Sequence, residues 1–430
     1  MWRQRANQFV RYISKVFGFN DFLAGYEDSR FRPQIPARVT TLTLLLGLWQ
    51  RAGSLFQLEQ MGRFGELDQF IAHPRWASAD TLEEGLKSAD TGAFWSYNHG
   101  LVRKARRNKT FEQGTLAGWM VASLDGTELY RTTRPTGDVR REWSRRTCKG
   151  GKAEYYERTI AASYVGCQPR LQLGAMRIRP GEHERAASLR LVDELDRYHG
   201  PGWADILCLD AGFVSAPFIN ALRVRHKHVV IKVKQENMML VREAKTEFEG
   251  KDPAVRIKSG TCTTADERGA DPALATTRYD VEIWDAERCV MWQGLKEPIR
   301  CLKVRETRWT RQESTWVADD PVEYHIATSV PRSIMKPETV WLIMHRRWDI
   351  ENSVFNDLKQ NWHFSHCYTH NVHGIEAMMA LFAIARNLLL LFRYRGIRPP
   401  RGLTLTTLTR QICRGLLEGL ASPILRLEGG

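Results

Sequence analysis

Up to about residue 117 the apolar positions recur at helical intervals. Leu42, Leu45, Leu46 and Trp49 run on into Leu55 and Leu58 at mixed spacings of three and four, as expected of helix faces turned to a core. Asp80-Thr81-Leu82-Glu83 reads as a further helix start, because a capping side chain followed by Glu satisfies free N–H groups. From Trp119 the period changes. Residues 119–122 are a short apolar run ending in Ser123-Leu124-Asp125-Gly126, predicted to be a buried strand and a turn. Residues 159–165 and 171–178 flank Gly166-Cys167-Gln168-Pro169 as a hairpin. A helix over 183–198 carries Ala187, Leu191 and Leu195 on one face and stops at Gly200. Residues 206–209 are wholly apolar and run into Asp210; a helix over 216–225 and a strand over 228–233 follow.

This order predicts a mixed α/β layer in which the first and fourth strands pair in parallel through a crossover. Asp125 and Asp210 then sit at the C-terminal ends of neighbouring strands, where open α/β sheets commonly bind ligands. Residues 235–334 differ, with short strand-like runs at 279–284, 289–292, 299–304, 315–318 and 324–328 between Gly, Pro, Asp and Glu; they predict an all-β insertion. Pro337 suits the first turn of a long helix reaching about Asn361. Its stripe of Val340, Met344, Arg347, Glu351, Val354 and Leu358 is apolar except for two charges. Arg347 and Glu351 are one helical turn apart, so an internal ion pair explains them; equally, Glu351 points to the same place as the two aspartates. Leu405, Leu408, Ile412 and Leu416 form a last helical stripe, expected to pack on a second subunit.

Composition narrows the partners. The chain has 43% hydrophobic and 26% charged residues, which argues against a disordered, collagen-like or membrane-spanning protein. A net charge of +14 and a pI near 9.5 point to a polyanion such as nucleic acid. The most apolar stretch, residues 375–392, contains Glu376, Arg386 and Asn387, too polar for lipid, so it reads as a buried helix. No apolar run follows Met1-Trp2-Arg3-Gln4-Arg5, so no secretory signal is expected. Eight scattered cysteines without a CxxC pair suit a reducing cytoplasm.

Asp125-Gly126-Thr127-Glu128, Asp210-Ala211-Gly212-Phe213 and Arg347-Trp348-Asp349-Ile350-Glu351-Asn352 together resemble the three signature blocks of DDE transposases of the bacterial insertion-sequence (IS-four-like) group. The resemblance implies an α/β fold with an RNase H-like mixed-sheet catalytic core interrupted by a β-strand insertion. Residues 1–117 would be an N-terminal helical, DNA-end-binding region; 118–234 the first part of the core; 235–334 the insertion; 335–398 the glutamate and packing helices; 399–430 a helical tail. It implies that Asp125, Asp210 and Glu351 are the catalytic residues and ligate Mg²⁺, with Mn²⁺ as substitute. The chemistry agrees, since hard carboxylate oxygens suit these ions and two ions stabilise both the attacking and leaving oxygens of a phosphodiester. Double-stranded DNA, as transposon end and target, is the implied partner, and a homodimer is expected to hold two ends together. Relatives carry Tyr-x2-Arg-x3-Glu-x6-Lys on the glutamate helix; here Arg347 and Glu351 match, but the Tyr position is Met344 and the Lys position is Leu358, with Lys359 one residue later. Arg347 and Lys359 are the expected DNA contacts on that helix. Two rivals remain: a catalytically silent, transposase-derived DNA-binding protein, and an RNase H-like nuclease or resolvase without strand transfer.

Other features stand beside this frame. Arg140, Arg141, Arg145, Arg146 and Lys149 lie in a stretch poor in acids and are expected to contact phosphate. Arg103 to Lys109 is a second charge cluster, either a solvated helix end or a phosphate contact. Trp284, Trp292, Trp309 and Trp316 fit a small β core or stacking on an unpaired base; Trp309 is the candidate DNA contact. His363, His366, Cys367, His370 and His373 have metal-like spacing, but no structural zinc is expected. Glu184 opens a helix, where the macrodipole favours an acid anyway, and no catalytic part is assigned to it.

Overall fold

The computed structural model describes residues 2–68, 70, 75–234, 238–263, 276–312, 315–397 and 403–419. Six helices come first: α1 (Trp2–Phe17), α2 (Phe19–Ala24), α3 (Ala37–Gln50), α4 (Leu55–Arg63), α5 (Ala79–Lys87) and α6 (Thr91–Arg107). Almost every side chain of α3 is buried, as its polar-poor sequence requires of a helix enclosed by others. Ser54, Ser78 and Asp90 cap the next three helices by accepting from the N–H groups of Gln57, Thr81 and Ala93. The helix expected from Asp80 thus begins at Ala79, on the Ser78 cap.

One eleven-stranded sheet follows. Its first part holds β1 (Val121–Thr132), α7 (Gly137–Glu142), β2 (Ser144–Thr147), β3 (Ala153–Tyr164), β4 (Gln172–Ile178), α8 (Glu184–His199), β5 (Ile206–Leu209), α9 (Ala216–Val224) and β6 (His228–Val233). β1, β3 and β4 are antiparallel, while β5 and β6 run parallel to β1. This is the RNase H-like mixed core that the sequence led us to expect. The second part holds α10 (Met239–Phe248), β7 (Val255–Thr263), β8 (Thr276–Cys289), β9 (Ile299–Gln312), β10 (Thr315–Ala318) and β11 (Val322–Thr328). The order is β2-β3-β1-β5-β6-β11-β9-β8-β7, with β4 on β3 and β10 on β9.

Two details depart from the pattern reading. β1 does not turn at Asp125-Gly126; it continues because these residues pair with Ala161 and Ile160 of β3. The insertion is not all-β: α10 buries Leu240, Val241 and Ala244 against β8. Its sheet is continuous with that of the core, because β11 pairs antiparallel with β6 and covers what would be an open edge.

The long helix after Pro337 is also interrupted. α11 (Pro337–Arg346) gives way to a π-helical turn over Ile350–Phe355 and then α12 (Asn356–Asn361). α13 (Val372–Leu391) is long and apolar enough to cross a membrane, yet 94% of its apolar window is buried within the protein. Its two sealed polar residues are joints. Arg386 reaches Asp357, the Arg170 carbonyl and the Ser353 carbonyl, and Asn387 bonds Gln172 and Asn98. α14 (Leu405–Leu417) buries Leu405, Leu408, Ile412 and Leu416 while packing on α1 and α3. That corrects the expectation of a subunit contact: the stripe is already covered by its own chain. The rest of the expected tail, 399–402 and 420–430, lies outside the described residues.

Candidate active site

The positions of the two aspartates follow from strand register. The parallel pairing of β1 with β5 matches Ser123 with Cys208. Asp125 and Asp210 each lie two residues further on, so their side chains leave adjacent strands about 4.8 Å apart on one face. Asp210 closes the strand by capping a single turn, its Oδ1 accepting from Gly212 N–H at 2.7 Å. Beside it a cavity of about 400 Å³ is lined by Gly212, Val233, Lys234 and Met238.

The glutamate helix covers that face. The Cys208 thiol donates to the Ile343 carbonyl of α11, and the Asp349 carboxylate accepts from Gly166 N–H at 2.8 Å and pairs with Arg170 at 3.1 Å. Arg170 also donates to Ser353 Oγ, and Arg386 to the Ser353 carbonyl. Two buried arginines therefore hold the wide turn, supplying donors where its backbone pattern changes. Glu351 sits in this turn, 34% exposed, with Oε1 accepting from Arg347 Nη1 at 2.5 Å. Arg347 is itself buried and stacks over Trp348. The ion pair expected from spacing exists, on an element that also faces the aspartates.

The wide turn explains the displaced lysine. An α-helix advances about 100° per residue, so a lysine seven positions after Glu351 would share its face. The turn takes up one extra residue; consequently Leu358 is fully buried, while Lys359 is exposed and donates to Thr127 Oγ1 at 2.7 Å. Thr127 is two residues beyond Asp125, on the same face of β1. Lys359 thus reaches the strand that carries Asp125. Met344 is buried, so no tyrosine-like group replaces it.

A fourth acid stands here that sequence reasoning set aside. Glu184, first residue of α8, lies so close over Gly126 that any Cβ at residue 126 would collide with its carboxylate. The signal available in the sequence was the glycine directly after Asp125. Burial, the charges of Glu351, Asp210 and Glu184, and a partly offsetting Arg347 push the Asp125 carboxyl up to about 7. Burial and the Asp210 charge raise Glu184 as well. The hard oxygens of these carboxylates suit Mg²⁺ or Mn²⁺. Among the described residues no three acidic, His or Cys side chains already converge on one point for an ion; Glu351 is drawn instead to Arg347.

The remaining candidates are dispersed. Arg140, Arg145 and Lys149 are exposed, and Arg141 pairs with Asp138 at 3.0 Å. Arg146 is engaged by Glu128 and Glu154 and stacks on Tyr156, so its charge is matched. Trp309 is half-buried on β9, donating to Asp280 at 3.1 Å. In the His/Cys cluster, Cys367 donates to the Thr369 carbonyl, His370 packs on Trp143 and His373 bonds the Ala89 carbonyl.

A solved piggyBac transposase synaptic complex with hairpin DNA is similar at 11% identity and TM-score 0.41, over 96% of this chain and 79% of that one. No curated protein matches in sequence. The family model described as a transposase DDE domain matches residues 119–388, a span that includes both aspartates and Glu351, and the chain belongs to that family.

Proposed function

We propose that this chain is a DNA transposase of the bacterial insertion-sequence type, acting in the cytoplasm. It binds terminal inverted repeats, cuts at the transposon ends and joins them to target DNA. The observation that carries this reading is the matched register of Asp125 and Asp210, with Glu351 presented to the same strand ends. Asp125, Asp210 and Glu351 are the residues that would hold Mg²⁺, or Mn²⁺ in its place. When bound, the ions stabilise the attacking and leaving oxygens of the phosphodiester. Rotation of Glu351 toward the aspartates would release the Arg347 guanidinium to pair with a DNA phosphate. Lys359, tethered at Thr127, holds a neighbouring phosphate, and Arg140, Arg145 and Lys149 guide the flanking backbone. The N-terminal helices bind the repeat, the β extension with Trp309 shapes the end, and two copies hold the two ends.

The test is a labelled donor end incubated with supercoiled target and Mg²⁺. Joined product supports the proposal. Cleavage without joining supports an RNase H-like nuclease, and binding without cleavage a silent DNA-binding descendant.

A further inference from the structure

Two basic concavities lie away from the acids. One, of about 840 Å³, is lined by Arg103, Arg106 and Arg107 at the end of α6, by Lys109 and by Met120. Glu112 is the one acid among its lining residues, and it is paired with Lys109 at 3.0 Å. The second, of about 510 Å³, is lined by Arg5, Arg11 and Lys15 of α1 and by Gly396 and Ile397, with no acid in its lining. Arg395, directly before Gly396, donates to the Asn108 carbonyl at 3.0 Å. It bridges the chain segment of one concavity to that of the other.

The place of this trough is fixed by the strands. Met120 directly precedes β1, and Arg106 donates to the Gly202 carbonyl just before β5. Both mark the N-terminal ends of the parallel strands, whereas Asp125 lies past the stretch of β1 that pairs with β5 and Asp210 past the C-terminal end of β5. At about 3.3 Å per residue the two edges are roughly 15 Å apart. Some positive charge is expected at a helix C-terminus, but that does not account for the cations of α1, which line the second concavity. Arg103 and Arg107 are exposed and pair with no acid among the described residues. The field is felt nearby: burial, His99, Arg106 and Arg103 push the His199 imidazole down to about 3.

We infer that this trough is a second nucleic-acid site, which grips the phosphate backbone of a DNA duplex segment other than the one lying at the acids. A row of guanidinium and ammonium groups without base-reading shape suits backbone contact independent of sequence. The inference rests on the reading that the chain handles duplex DNA, but not on its cutting DNA.

The experiment uses the full chain in EDTA and a fluorescein-labelled duplex of about 30 base pairs of arbitrary sequence, titrated between about 50 and 200 mM salt. Arg103→Ala/Arg107→Ala and Arg5→Ala/Arg11→Ala are each expected to lower the slope of log affinity against log salt by about 2, roughly 0.9 for each phosphate that is no longer neutralised. Affinity should fall about tenfold or more for each pair, and Arg→Lys pairs should keep most of the slope. Arg179→Ala/Lys336→Ala removes the same net charge from other exposed positions and should leave the slope unchanged; thermal melts establish that every variant is folded. An unchanged slope in both trough pairs, or an equal fall in the control pair, overturns the proposal. If the trough pairs bind and cut normally, the transposase reading stands and the trough is lost; binding that depends on the trough without any cleavage does the reverse.

Discussion

Two regions of the molecule gather acids in different ways. In the β extension, Asp285 accepts from Arg300 at 2.8 and 2.7 Å and from Arg332 at 2.9 Å, and the Asp285 and Arg300 side chains are sealed from solvent. At the strand ends of the core, Asp125, Asp210, Glu184 and Glu351 crowd together, with Arg347 beside Asp125 and Glu351 and Arg158 beside Glu184. The first region is balanced and therefore structural. The second is left with excess negative charge, the condition in which carboxylates bind cations or perform chemistry.

The contrast breaks first, if it is wrong, at the acids of the core. Asp210→Ala is expected to reduce metal-dependent cleavage by on the order of a thousandfold or more, equivalent to about 4 kcal/mol or more in the barrier. Its stability should fall by about 1 kcal/mol at most, because removing a repelling charge offsets the lost cap on Gly212. Unfolding of this variant would instead place Asp210 with Asp285. For Asp285→Ala the expectation is inverted: a loss of about 3–5 kcal/mol in stability, read by denaturant titration, because two arginines are left unpaired. The fraction still folded should cleave normally.

Glu351→Gln sharpens the comparison, because Glu351 belongs to an ion pair and to the acid group at once. As Arg347's partner alone, its loss would lower stability and spare cleavage. The expected result is a folded protein that binds DNA and does not cleave in Mg²⁺. Glu184→Gln should weaken Mn²⁺ binding, measured by calorimetry, by about tenfold, or about 1.4 kcal/mol. Glu182→Gln provides the control, since Glu182 is held by Arg190. The smallest effect concerns Glu306. Burial raises its carboxyl, but donors from His345, Trp341 and Tyr324 outweigh this and hold it below the usual range. A depressed folded value means that its contribution is present above the unfolded carboxylate pKa and is lost as pH falls through the folded one. Glu306→Gln should therefore reduce the acid-range loss of stability by about 1 kcal/mol.

The core was largely legible because its strands are buried on both faces and read as short apolar runs: all of β5 is sealed, and β6 begins and ends where the pattern put it. The extension was less so. β10 lies where the pattern put it, but β7 went unseen because its side chains over 255–260 are half-buried or exposed, and in the core β2 is Ser-Arg-Arg-Thr, without an inward-facing pattern. α10 went unseen because only one narrow side of it is buried. At the site, Asp125 and Asp210 were legible as neighbours because each follows a short buried run on strands that pair in parallel. Glu184 was missed because its helix-start position has an ordinary local explanation, and its proximity to Gly126 depends on how α8 crosses the sheet. Lys359 was placed out of register because a fixed residue count assumes an uninterrupted α-helix.

The wide turn has a consequence for how such a gene tolerates change. Within Ile350–Phe355 the backbone already accommodates one residue more than an ordinary helical turn holds. Removing the codon of exposed Asn352 restores that turn and sets the lysine seven positions after Glu351, so the helix downstream keeps its facing. Lys359 would keep Thr127, and Asp357 would keep the reach to Arg386 that fastens the helix to α13. Removing two codons would instead rotate everything downstream by about 100° and break both contacts. Descendants of this gene are then expected to differ here in length by one residue, but not by two.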